Sequence, residues 1–137
     1  MFGFRIKISK ADRLFSLCVR HLAKWTCQRC HRKYDPPTQS LQCSHFHSRG
    51  NKSVRFDFEN AVALCVLCHQ RFTANPLEHT DFFLKRLGKR RFDALTVRRY
   101  TYQKVDERMI AWGLEQILKK LELETYGKKA KRKKVED

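Results

Sequence analysis

The pairs "CQRC" (Cys27, Cys30) and "CVLC" (Cys65, Cys68) constrain this chain more than any other feature, because 34 residues separate them. Two short-spaced thiol pairs let two tight turns close one tetrahedral Zn(II) site with every position filled by sulfur, which makes it a structural site. The pairs are then drawn together, and the spacer, longer than the usual zinc-ribbon gap, becomes an insert closed at its neck. Compartment bears on this reading. The start "MFGFRIKISKADR" lacks the apolar core and cleavage site of a secretory signal, and no stretch approaches a membrane span. The expected location is therefore the cytoplasm, where paired cysteines are metal ligands more often than disulfides. His31 and His69 each follow a Cys-x-x-C directly, the pattern of covalent haem attachment. That attachment normally accompanies export, and Met109 is the one methionine besides Met1, so haem is disfavoured.

Periodicity divides the remainder. In "SKADRLFSLCVRHLAKW", Ser9 and Asp12 form a capping-box pattern, and Ala11, Leu14, Phe15, Cys18 and Leu22 recur on one face, which makes Cys18 a core thiol. "SLQCSHFHS" alternates roughly as a strand does, Gly50-Asn51 marks a turn, and "AVALCVLC" fits a strand or a helix. Asn75-Pro76 supplies a cap and a first helical residue, Gly88 a stop, with Leu77, Phe83, Leu84 and Leu87 turned inward. A last helix over about 105–123 carries Val105, Met109, Trp112, Leu118 and Leu121 as a core or dimer stripe. From Gly127 a charge run without periodicity is expected to be disordered. The expected organisation is an N-terminal helical segment (1–26), a zinc-knuckle core (27–75), a C-terminal helical region (76–126) and a basic tail (127–137).

The net charge is +16, and the terminal run, with six basic residues against two acidic, leaves +12 on the rest. Cations at this density repel one another unless a polyanion relieves them, so nucleic acid is the expected partner. Arg49, Lys52 and Arg55 in the insert, and Arg71 beyond the second knuckle, are candidates for holding phosphates. "GKRRFDALTVRRYTYQK" sets Lys89, Arg90, Arg91, Arg98 and Arg99 close to Phe92, Tyr100 and Tyr102. That mixture either holds a backbone and stacks on bases or packs between helices. His31 reads as a polar residue of a basic loop.

His45, Asn60 and His69 lie 15 and then nine positions apart. With "CQRC", "CSHF" and "FENAVALCVLCHQRF" in register, residues 27–75 resemble the HNH nuclease superfamily, whose ββα-metal site is a strand, a loop and a helix around one divalent cation. The wider stretch "LQCSHFHSRGNKSVRFDFENAVALCVLCHQRFTANPLEHTDFFLKRLG" is similar to the phage Rap/NinG recombination nucleases. The likeness rests on a Cys-x-His segment, a Ser-Arg dipeptide after it and an Arg-Phe-Asp run before the asparagine. The resemblance implies an α+β fold, a zinc-stabilised ββα-metal core with flanking helices. It also implies a metal-dependent, structure-selective endonuclease cutting branched recombination intermediates such as Holliday junctions. His45 would be the general base, Asn60 would orient the His45 ring through its amide, and His69 would bind a catalytic Mg(II) or Mn(II).

The chemistry suits those residue types. Cutting a phosphodiester needs an activated water and stabilisation of the leaving 3′ oxygen, tasks for a neutral histidine and a cation. Two positions depart from the family pattern: Ser44 stands where many relatives have a metal-binding Asp or His, and Thr73 where some have a further histidine. His47, Asn75 and Asp57 are candidates for the second ligand, His47 first, because a strand sends residues 45 and 47 to one face. Cys43 shares that face as a core thiol. Two other functions fit the residues: a less selective phage HNH nicking or packaging-associated endonuclease, and a non-catalytic zinc-ribbon module. Resolving a four-way junction calls for two active sites, so a homodimer is expected, in a bacterial host if the chain is phage-encoded.

Overall fold

The computed structural model describes the backbone of residues 7–136 and the side chains of residues 7–125. Helix α1 (Lys10–Leu22) begins as its capping box dictates: Ser9 Oγ accepts from the Asp12 N–H, and the Asp12 carboxylate accepts from the Ser9 N–H. Two otherwise orphaned donors are thereby satisfied. Ala11, Phe15, Cys18 and Val19 form the buried stripe, while Leu22, in the last turn, is exposed.

Strand β1 (Leu41–His45) pairs antiparallel with β2 (Ala61–Cys65), Leu41 opposite Cys65 and His45 opposite Ala61. All five β2 residues are buried, which explains the unbroken apolar run there: the strand is covered and has no wet side. The run changes from strand to helix at its second knuckle, where α2 (Val66–Ala74) follows without a loop. Two 3₁₀ turns, Lys52–Val54 and Phe58–Asn60, fill the connection between the strands. Helix α1 packs across both strands, and α2 folds back onto them. The first knuckle also bonds to β2: the Gln28 N–H donates to the Ala63 carbonyl (2.9 Å), and Gln28 Oε1 accepts from the Ala63 N–H (2.8 Å). The result is an α+β fold of one hairpin with helices around it.

Helix α3 (Pro76–Leu87) starts with proline, but Asn75 donates its amide back to the Arg71 carbonyl and does not cap the helix with its side chain. Its inner face is His79, Phe83 and Leu87, one turn apart, so Leu77 (88% exposed) and Leu84, expected inside, point outward. Gly88 at φ 78° makes the break, a conformation natural to a residue without Cβ. Helix α4 (Lys89–Tyr100) then packs on the first 3₁₀ turn.

Helix α5 (Glu107–Glu136) lies along α1 and continues through the basic run in which the sequence suggests no regular structure. It buries Ala111 and Leu114, with Ile110, Leu118 and Leu121 partly covered, and leaves Met109 (71%) and Trp112 (66%) exposed. The expected stripe is thus split. The helix begins after Val105, and the α1 contact, marked by Cys18 Sγ donating to the Leu114 carbonyl at 3.5 Å, sets its rotation. Among the described residues no helix is long and apolar enough to cross a membrane.

Candidate metal centre and adjoining cleft

Cys27 and Cys30 come from the first knuckle, Cys65 from the end of β2 and Cys68 from the first turn of α2, and their Sγ atoms all lie within 4.8 Å of one another. A tetrahedral thiolate site with metal–sulfur bonds of about 2.3 Å has sulfur–sulfur edges of about 3.8 Å. Cys30 Sγ and Cys65 Sγ are 3.8 Å apart, so the group is close enough to hold a metal ion. Burial raises the Cys27 thiol, but the N–H groups of Cys30, Cys65 and Arg29 outweigh it and bring the pKa down to about 7. Cys68 is pushed by burial up to about 12 although Arg29 donates to it at 3.5 Å. A dication at the centre ionises such thiols outright. His31 is no ligand here. It turns the knuckle with φ 65°, its N–H donating to the Cys27 carbonyl at 2.8 Å.

The residue after Cys68 is His69, so the thiolate group and the cleft beside it share one helix turn. His45, at the end of β1, and His69 line a cleft of about 860 Å³ together with Cys43, Asp12, Arg13 and Arg49. The Arg55 carbonyl, 2.9 Å from His45 Nε2, can only accept. Nε2 therefore carries the hydrogen in the neutral ring, and Nδ1 is left as the basic nitrogen. Phe15 packs on the same ring, centroids 5.5 Å apart. Desolvation lowers the His45 pKa, opposed by the Arg55 carbonyl, so the ring is neutral at pH 7. On His69, Nδ1 meets Gln42 Oε1 at 2.7 Å, which leaves Nε2 as the nitrogen with a free lone pair. Cys43 stays a neutral thiol, pushed by burial up to about 12.

Asn60 does a different task from the one expected of it. With no exposed surface, its Oδ1 accepts from the His47 N–H (2.8 Å), and its Nδ2 donates to the carbonyls of His47 (2.9 Å) and Val54 (3.1 Å). The amide clamps the two sides of the inter-strand loop. It is the Arg55 carbonyl that orients the His45 ring. His47 is also placed otherwise than expected. β1 ends at His45, so the alternation that would set residues 45 and 47 on one face is lost. The His47 ring packs on Phe46 (4.6 Å) outside the cleft lining, with Nε2 buried and unpartnered, and desolvation plus the Arg99 charge bring its pKa down to about 4. Among the described residues the four cysteines are the one cluster of three or more His, Cys, Asp or Glu ligand atoms at metal-binding distance. The cleft accordingly offers a cation His69 Nε2, which belongs to no such group of three among the described residues.

The basic residues sort into engaged and unengaged. Arg55 forms a bidentate pair with Asp12 (2.9 and 2.5 Å) in which both side chains are nearly covered. It ties the loop to the α1 cap and is not available as a phosphate clamp. Arg71 pairs with Glu78, Arg98 with Asp57 and Glu59, and Arg99 donates to Asn51 Oδ1. Among the described residues Arg49 and Lys52 have no carboxylate partner, and Arg49 is on the cleft wall. Three contributors escape sequence reading: Gln42, Arg13 and Arg29. Only Arg29, inside the knuckle, carried a local signal; the other two are brought in by strand pairing and by the α1 packing. No family model, no curated protein and no solved structure matches this chain.

Proposed function

We propose that this protein is a metal-dependent DNA endonuclease acting on branched recombination intermediates, with a structural Zn(II) on Cys27, Cys30, Cys65 and Cys68. The observation that carries the reading is the shared cleft: a neutral His45 with Nδ1 free, His69 with Nε2 free, and Arg49 and Arg13 on the walls. His45 takes the proton from the attacking water at Nδ1. Arg49 and Arg13 hold the phosphates on either side of the cut. His69 would hold a divalent cation, Mg(II) or Mn(II), which would supply charge neutralisation at the leaving 3′ oxygen. Gln42 fixes the His69 ring for that role. Cutting paired strands of a junction calls for two such clefts, so the active form is a homodimer, with Met109 and Trp112 among the exposed apolar residues of α5 available for the contact.

The test is cleavage of a labelled four-way junction beside a linear duplex, with Mg(II) or Mn(II) added and then omitted, with molecular mass in solution recorded on the same samples. Wild type is expected to cut the junction alone, as a dimer, with the cation; His45→Ala is expected to lose at least about 100-fold in rate with junction binding intact. Equal cutting of both substrates supports a general HNH nuclease instead. No cutting with tight binding supports the non-catalytic zinc-ribbon module.

A further inference from the structure

The aromatic residues of the basic α4 segment divide sharply. Phe92 packs against Phe46 (5.5 Å) at the core, whereas Tyr100 and Tyr102 are 74% and 91% exposed. Both exposed rings stand at the C-terminal end of α4, within a strongly basic stretch. Between Lys89 and Lys104 six cations stand against one carboxylate, Asp93. Lys89 is paired with Asp93, Arg91 with Glu59 and Arg98 with Asp57 and Glu59, which leaves Arg90, Arg99 and Lys104 without a carboxylate among the described residues. The Arg99 guanidinium lies 4.9 Å from the Tyr100 ring centre, so charge and π-face are presented together. The site is coupled to the cleft. Arg99 Nε donates to Asn51 Oδ1 (3.0 Å), its carbonyl accepts from Ser53 Oγ (2.8 Å), and Asn51 donates to Ser48, which lines the cleft beside His45.

We infer that Tyr100 and Tyr102 form a stacking platform for unpaired nucleotides of a DNA strand running from the cleft, with Arg99 on the adjoining phosphate. The inference rests on the nucleic-acid reading above. Bases stack on aromatic faces whatever their sequence, which suits a surface for the splayed single strands at a branch point and gives nothing to a closed duplex. Three cations without a carboxylate partner around exposed rings favour a polyanion that also carries flat faces, as a nucleic acid strand does.

Full-length protein is titrated against a fluorescent single-stranded oligothymidylate and a duplex of equal length, at fixed salt without added divalent cation. The variants are Tyr100→Ala/Tyr102→Ala and Tyr100→Phe/Tyr102→Phe. The alanine pair is expected to weaken single-strand binding about 10-fold or more and duplex binding less than about twofold, with the phenylalanine pair within about twofold of wild type on both. Unchanged single-strand binding in the alanine pair overturns the platform, as does an equal loss on both ligands. Cleavage is read separately, in the four-way junction assay. A wild type that cuts nothing but shows the stacking loss defeats the nuclease alone, and an active nuclease whose alanine pair binds normally defeats the platform alone.

Discussion

Asn60 illustrates how much a single side chain can hold. Its amide, with no exposed surface, satisfies one N–H and two carbonyls of a loop whose only regular pieces are two short 3₁₀ turns. Removing it strands groups that cost about 1–3 kcal/mol each when buried unpaired. Asn60→Ala is therefore expected to lower the unfolding free energy by about 3 kcal/mol or more. Asn60→Asp, which keeps the acceptor and loses both donors, should do no better. Urea unfolding at neutral pH measures both, and a loss under about 1 kcal/mol would contradict the clamp. The identity of this residue was legible in the sequence, as were His45 and His69. Its task was not, because an asparagine amide reports nothing about which backbone it faces until the loop around it is closed.

Whole elements were legible where a local rule governs them. The capping box sets the start of α1, the proline and Gly88 bound α3, and the coordination geometry of thiolates requires the two knuckles to meet. Phase was not legible where a distant partner decides it: α5 is rotated by its contact with α1, so Met109 and Trp112 emerge where a stripe was expected to close. α4 shows in the sequence only as a charge and aromatic mixture, since Leu95 is its one fully covered residue. The knuckles carry a prediction of their own. Without metal, four crowded thiols no longer draw residues 27–30 onto the β2–α2 junction, and the lost binding energy is lost folding energy. Stripping the ion with a strong chelator should lower the melting temperature by about 10 °C or more and open residues 27–40 to proteolysis, with one ion per chain found by native mass spectrometry in the untreated protein. A metal-free chain with an unchanged melting temperature would remove zinc from the account.

On the scale of the molecule, the histidines respond to acid together. His21, His45, His47, His69 and His79 all have pKa values lowered chiefly by desolvation, His47 to about 4. Each folded value lies below the unfolded value of about 6.5, so the unfolded chain binds more protons as the pH falls. Their contribution is complete above about pH 6.5 and is lost progressively as the pH falls, for His47 down to about pH 4, at a slope of at most about 1.4 kcal/mol per pH unit for each group. His47→Leu should flatten the fall in stability between pH 6.5 and 4.5 relative to wild type while leaving the curve above pH 7 parallel. Identical slopes would mean that His47 is not held neutral. The adjacency of Cys68 and His69 acts in time as well as in space. Cys68 belongs to the group that could hold a metal ion and His69 is the next residue, so for a nuclease that ion would act as a safety catch: a newly made chain short of metal would have no aligned cleft, and the cell's DNA would not meet a cutter before it is finished.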